Sequence, residues 1–141
     1  MSETGTAGGN DASAISSYFV AANGTLVAIS TGVPTLGNAN CWNAITPDGR
    51  FVFTSNAGSS TISGFAISAT GVLTPVGATV AGTNPSGSTN LDIAVSADGK
   101  FLYTLNSGTG TIGIQPDGTL NKLGDADGLS EAAGFNGIAA N

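Results

Sequence analysis

One acidic residue stands out because it lies within an apolar segment of the sequence. Asp92 is flanked by Leu91 and Ile93, and Val95 follows soon after. A carboxylate among apolar residues can act as a general base, or it can bind a metal ion or a hydroxyl group. It can also have a purely structural role, accepting hydrogen bonds from the backbone of an adjacent structural unit of the fold. Asp92 is therefore the candidate catalytic residue of this chain.

Three further residues are candidates for ligand binding because they lie in segments similar to the one around Asp92. Trp42 takes the place of Asp92 in an earlier segment, and its ring could stack on a ligand, although packing is the usual role of a tryptophan. Asn43 follows Trp42, and Asn136 takes the place of Asn43 in the later segment 135–138. The candidate ligand-binding set is thus Trp42, Asn43, Asp92 and Asn136.

Several kinds of site are excluded by the residues that the chain lacks. It has no His and a single Cys, so it can build neither a Ser-His-Asp or Cys-His relay nor a thiolate metal cluster. Residues 108–113 match the pattern G-x-G-x-x-G, but no helix is expected after them to complete a phosphate site. Residues 125–128 are similar to the start of a calcium loop whose later bidentate acid is missing. We predict no cofactor and no metal, with Cys41 a buried small hydrophobic residue.

The charge balance excludes two classes of partner. The 141 residues include nine acidic and three basic ones, a formal net charge of −6, so no basic surface is available for nucleic acid or anionic lipid. Arg50 and Lys100 each follow an Asp-Gly pair, and we expect them at solvated turns. No apolar run approaches the roughly 20 residues that span a bilayer, and no signal peptide is visible. Export from a bacterium, a periplasmic location and a cytoplasmic one all fit this composition.

A repeat of about fifty residues positions these candidates. The segment 41–56 returns as 91–106, with an Asp-Gly pair and an apolar run at the same places. A second marker, Gly-x-Leu, ends at Leu26, Leu73 and Leu120, each 47 residues from the last. The Asp-Gly pairs predict hairpins with primed turns, because glycine accepts a positive φ.

Turn residues divide each repeat into four short strands. The predicted strands are 41–46, 51–56, 61–68 and 72–80 in one unit, 91–96, 101–106, 111–115 and 119–124 in the next, and 16–22 and 25–30 ahead of them. No sustained helical pattern is present, although 129–133 could form one turn. Four-stranded antiparallel units at this spacing are typical of β-propeller blades.

The predicted fold is therefore all-β, a partial β-propeller with two complete and two partial blades. A flexible N-terminal segment, 1–14, precedes a blade segment, 15–141. The blade segment divides into a partial blade at 15–31, blades at 41–80 and 91–124, and a final strand at 134–140.

The blade pattern also resembles a known family. Residues 47–63, Pro-Asp-Gly-Arg-Phe-Val-Phe-Thr-Ser-Asn-Ala-Gly-Ser-Ser-Thr-Ile-Ser, and residues 71–76, Gly-Val-Leu-Thr-Pro-Val, are similar to blades of lactonase-type seven-bladed propellers, the family of 6-phosphogluconolactonase and carboxymuconate cyclase. The resemblance covers 15–141, and it implies a lineage of lactone or sugar-acid hydrolases. It also implies His and Arg around a central channel. Since the chain has no His and its only Arg is Arg50, no catalytic residue is carried over.

The small number of blades has a physical consequence. Seven blades of this length require roughly 300 residues, so this chain forms an arc with two uncovered end faces, each an apolar patch of at least a few hundred Å². We expect a homo-oligomer or completion by missing blades, and a lactone or sugar acid as the small-molecule partner. The chain is interpreted as a structural or ligand-binding scaffold. The alternative is a lactone hydrolase that uses channel-lining residues, and the sequence leaves enzymatic activity open.

Overall fold

The protein is described by a computed structural model over residues 1–5, 12–83, 89–106, 113–114, 118–124 and 139–140. Within these ranges it forms antiparallel β-strands and no helix, which confirms the predicted all-β class. Nothing in the same ranges is a helix long and apolar enough to cross a membrane. The predicted turn at 129–133 and nearly all of the predicted final strand at 134–140 lie outside the described residues.

The strands group into three blades. The first blade contains β1 (Ser2–Glu3), β2 (Ala14–Val20) and β3 (Leu26–Pro34), in the order β1-β2-β3. The central blade is a four-stranded sheet of β4 (Asn40–Ile45), β5 (Phe51–Asn56), β6 (Thr61–Ile67) and β7 (Leu73–Thr83), hydrogen-bonded in chain order. The third blade contains the pair β8 (Asn90–Val95) and β9 (Leu102–Asn106) and the pair β10 (Gly113–Ile114) and β11 (Leu120–Asn121).

The strands of the repeat begin and end close to their predicted residues, which confirms the partial propeller. Among the described residues, the one strand that the sequence did not predict is β1, in an N-terminal segment that was expected to be flexible. Its two residues pair with β2, in the register Ser2 to Ile15 and Glu3 to Ala14.

The hairpins between the first and second strands differ in detail from the predicted primed turns. Gly49 adopts a φ of +72°, but Asp48 does not adopt a positive φ, which a type I′ turn would require of both central residues. The amide of Gly49 instead donates to the carbonyl oxygen of Thr46 at 2.8 Å, and Thr46 pairs with Phe51. Pro47 fits this turn because its ring fixes a negative φ at the first central position, but the turn does not require it, since Ala97 takes its place in the second hairpin. Gly99 repeats the conformation, with a φ of +72°.

Two apolar clusters lie between the blades. One joins the central and third blades and contains Phe53, Ile62, Ile93 and Leu102. The other joins the first and central blades and contains Ile15, Val52, Phe65 and Leu73. Successive residues of a strand point to opposite faces, so Val52 enters one cluster and Phe53 the other. Each fully buried side chain of this size stabilises the fold by about 1.5–3 kcal/mol, which is why the blades pack face to face.

Candidate functional site

The first strands of the central and third blades, β4 and β8, lie side by side and carry three of the four candidate residues. Trp42 and Asn43 are exposed on β4, Trp42 by 48%, while Asp92 on β8 is buried, with 7% exposure. Trp42 and Asn43 are consecutive strand residues, so their side chains point to opposite faces. Asn136, the fourth candidate, lies outside the described residues. We call Trp42, Asn43 and Asp92 the inner-strand site.

A β-bulge shapes both inner strands at the same repeat position. The pairing of β4 with β5 shifts between Asn40 and Trp42, so that Cys41 is the extra residue. The pairing of β8 with β9 shifts in the same way between Asn90 and Asp92. Bulges of this kind redirect side chains, so a residue in a bulge can be exposed where the sequence predicts burial. Cys41 was expected to be buried and is exposed, because it occupies the bulge of β4, whose other edge pairs with no strand among the described residues.

Asp92 is bound to its own strand. Its Oδ1 accepts a hydrogen bond of 2.7 Å from the backbone amide of Ile93. The structural role considered from the sequence was a different one, in which Asp92 accepts hydrogen bonds from the backbone of an adjacent blade, whereas Ile93 is the next residue of the same strand. Asp92 is buried on the inner strand β8, and its catalytic role stays a prediction.

Two buried asparagines that the sequence analysis did not single out connect the blades. The side-chain amide of Asn40 donates to the carbonyl oxygen of Ala14 in the first blade at 2.9 Å. The side-chain amide of Asn90 donates to the carbonyl oxygen of Thr61 in the central blade at 3.4 Å. Both asparagines are fully buried. The signal in the sequence was the fifty-residue spacing of two asparagines, each one residue before a predicted inner strand.

The partners of these asparagines differ between the blades. In the central blade the hydroxyl of Thr54 donates to Oδ1 of Asn40. In the third blade the equivalent atoms, Oγ1 of Thr104 and Oδ1 of Asn90, have no hydrogen-bond partner among the described residues although both are buried. The inter-blade hydrogen bond is thus conserved across the repeat, and the supporting hydroxyl contact is present in only one of the two blades.

The charged hairpins lie at the other end of the inner strands. Each begins with a hydroxyl that donates to an aspartate: Thr46 to Asp48 at 2.6 Å, and Ser96 to Asp98 at 2.7 Å. The Ser96 hydroxyl, then the backbone amide and ammonium group of Lys100, lower the pKa of Asp98 to about 2.

In the central-blade hairpin, Asp48 has the same kinds of contact as Asp98, but its ion pair is longer. The Thr46 hydroxyl, followed by the backbone amide of Arg50, lowers the pKa of Asp48. The Arg50 guanidinium is 4.0 Å from that carboxylate, against 3.2 Å for the ammonium of Lys100 and the carboxylate of Asp98.

A cleft of about 540 Å³ separates the two hairpins and is lined by Arg50, Phe51, Lys100, Phe101 and Leu123, among others. Both cationic side chains are mostly exposed, as predicted, and each is paired with the aspartate of its own turn. The charges lining the cleft therefore cancel in pairs, and we interpret this region as two solvated blade corners. Within the described ranges, no three His, Cys, Asp or Glu side chains are grouped closely enough to hold a metal ion. The calcium-like segment 125–128 lies outside those ranges, as does nearly all of the glycine-rich segment 108–113.

Antiparallel four-stranded units, packed face to face with their first strands side by side, define a β-propeller. The chain belongs to the family described as lactonase, 7-bladed beta-propeller, whose model matches residues 22–113. Among curated proteins, none matches the chain significantly.

Solved structures agree with the family. A protein from Lactobacillus plantarum is 26% identical with a TM-score of 0.66, over 78% of this chain and 34% of that one. A protein of unknown function from Desulfotomaculum acetoxidans is 27% identical with a TM-score of 0.62, over 77% of this chain and 33% of that one. A candidate 6-phosphogluconolactonase from Bacteroides uniformis is 25% identical with a TM-score of 0.66, over 85% of this chain and 38% of that one. The chain thus spans about a third of the length of each.

Proposed function

We propose that this chain is a structural segment of a lactonase-type propeller, which it completes with further copies of itself through the open face of its first blade. The observation that carries the proposal is a difference in exposure at one repeat position. Leu73 of the central blade is 8% exposed because the first blade covers it, whereas its equivalent in the first blade, Leu26, is 51% exposed.

The neighbouring positions follow the same pattern. Phe65 is fully buried against the first blade, while its equivalent, Tyr18, is only partly buried. Val20 is 63% exposed, and its equivalent Ile67 packs against the cluster between the blades. The open face therefore has the residue types of a blade interface, and an added blade of the same repeat would bury it as the first blade buries the central one.

The inner strands support the same proposal. Ile93 of β8 is 5% exposed because it faces the complete central blade, whereas its equivalent on β4, Asn43, is exposed. Ile45, two residues further along the same face, is 60% exposed. The first blade, as described, has no inner strand to cover these two side chains. A neighbouring copy that supplied such a strand would bury Ile45.

The mass of the chain under native conditions tests the assembly. We expect multiples of the 13.6 kDa monomer, and we expect Leu26→Asp to shift the population to monomer. The matched control is Val27→Asp, which places the same charge on the next residue of β3, equally exposed but on the opposite face. A monomer at every concentration up to about 100 μM, or equal effects of the two variants, would contradict assembly through this face.

A second candidate function is hydrolysis of lactones, favoured by the buried carboxylate of Asp92 on an inner strand. The candidate 6-phosphogluconolactonase among the similar structures suggests a sugar-acid lactone as the substrate class. We expect hydrolysis of 6-phosphogluconolactone above the spontaneous rate, and loss of that activity in Asp92→Asn. An unchanged rate in a variant with the wild-type melting temperature would remove Asp92 from the mechanism.

A further inference from the structure

The cleft between the hairpins of the central and third blades has three large apolar side chains in its lining. Phe51 and Phe101 occupy the same position of the repeat, and Leu123 follows β11 in the third blade. Phe101 and Leu123 are both exposed. The volume of the cleft, about 540 Å³, is typical of small-molecule sites. The cleft therefore offers apolar surface that a ligand of matching size would bury.

The ring of Phe51 is held in place by the third blade. It packs against the apolar cluster between the two blades. A Cβ at Gly118 would lie 2.8 Å from the ring, so only glycine allows the turn before β11 to approach it this closely. The guanidinium of Arg50 lies over the same ring, with its central carbon 5.2 Å from the ring centroid. Phe51 thus places the Arg50 cation beside the apolar lining of the cleft.

The two cations of the cleft differ in how they contact the aspartate of their own turn. The Lys100 ammonium is 3.2 Å from the Asp98 carboxylate, which is close enough for a hydrogen bond. The Arg50 guanidinium is 4.0 Å from the Asp48 carboxylate, which is too far for one. The charges of Arg50 and Asp48 cancel in number, but the guanidinium donates no hydrogen bond to an acceptor among the described residues.

The turn itself supplies hydrogen-bond donors to Asp48, so this carboxylate does not depend on the guanidinium. Its Oδ1 accepts the hydroxyl of Thr46 at 2.6 Å and the backbone amide of Arg50 at 3.0 Å. These two hydrogen bonds lower the pKa of Asp48 more than the charge of the Arg50 side chain does. The guanidinium can therefore bind a second carboxylate while the turn donors continue to stabilise Asp48.

We propose that this cleft binds an organic monocarboxylate with an apolar body, such as an aryl group. The guanidinium of Arg50 is a planar fork of N–H donors that matches a carboxylate through two parallel hydrogen bonds. The apolar body of the ligand would be buried against Phe51, Phe101 and Leu123. The inference goes beyond the proposed function, because the cleft lies between the central and third blades whereas the proposed assembly uses the first blade.

An NMR titration of the full chain with phenylacetate at constant ionic strength tests the proposal. The backbone amides of Phe51 and Gly99 report binding, because both residues line the cleft. We expect a dissociation constant of about 1–10 mM for a ligand of this size. Acetate lacks the ring and benzyl alcohol lacks the carboxylate, so each should bind at least about fivefold more weakly than phenylacetate.

Two matched variants test the role of the guanidinium. Arg50→Gln removes the fork of donors, and we expect it to weaken phenylacetate binding by at least about fivefold. The control is Lys122→Gln, which removes one positive charge at an exposed residue that does not line the cleft, and it should weaken binding by less than about twofold. The proposal would be overturned by unchanged amide shifts up to about 50 mM phenylacetate, by equal affinities for phenylacetate and benzyl alcohol, or by equal effects of the two variants.

Discussion

The side chain of Asn40, on the inner strand of the central blade, donates a 2.9 Å hydrogen bond to the carbonyl oxygen of Ala14 in the first blade. Asn40 itself is fully buried. The same asparagine accepts the hydroxyl of Thr54. One side chain therefore satisfies two polar groups in two different blades, and the repeat places Asn90 in the corresponding position beside Thr61.

Replacement of Asn40 should lower the free energy of unfolding. Asn40→Ala removes the side-chain donor to the Ala14 carbonyl and one of the two acceptors near the Thr54 hydroxyl, and we expect a loss of roughly 2–4 kcal/mol in the free energy of unfolding, measured by urea titration. Asn43→Ala, on the same strand but exposed, should change it by less than about 0.5 kcal/mol. Similar losses in the two variants would show that the Asn40 hydrogen bonds do not stabilise the blade contact.

The two equivalent threonines should respond differently to the same substitution. Thr54→Val removes the hydroxyl whose single proton is shared between Oδ1 of Asn40 and the carbonyl oxygen of Trp42, 3.0 Å away, so we expect a loss of about 1–3 kcal/mol. Thr104→Val removes a buried hydroxyl that has no partner among the described residues, so stability should stay the same or rise slightly. Thermal unfolding of the two variants measures this difference, and an equal loss in both would contradict it.

The hairpin at Asp98 should contribute to stability only above acidic pH. The pKa of Asp98 in the folded chain, about 2, lies below its ordinary value of 3.8. Its contribution is therefore fully present above about pH 4 and is lost as the pH falls through about 2. Ser96→Ala removes the largest cause of the shift, so an NMR titration should find a higher pKa for Asp98 and an unchanged one for Asp48. An unchanged Asp98 pKa would assign the shift to Lys100 instead.

The thiol of Cys41 should be accessible in the folded protein. It is exposed at the bulge of β4, and its Sγ lies 3.2 Å from the carbonyl oxygen of Ala39. We expect a disulfide reagent such as Ellman's to modify one thiol per chain without denaturant, at a rate within about tenfold of the unfolded chain. Reaction only after unfolding would mean that Cys41 is covered, and native mass would show whether a second copy covers it.

Local patterns were sufficient to predict the strands of the repeat. Asp48-Gly49 and the apolar run after it specify a hairpin from a few neighbouring residues, and the fifty-residue spacing then repeats the prediction around Asp98. Phe53 and Phe65 lie on two of these predicted strands, and both are fully buried. They were less informative about the candidate site, because the exposure of Trp42 depends on strands that lie far away in the sequence.

The sequence by itself determined the all-β class, the blade repeat and the solvated charge of Arg50 and Lys100, because strand alternation and turn formation depend on adjacent residues. Only the tertiary structure decided which blade faces are covered and how Asn40 reaches Ala14. It also decided that β1 pairs with β2. These features depend on contacts between residues distant in the chain, and neither composition nor periodicity records which surfaces meet when the blades pack.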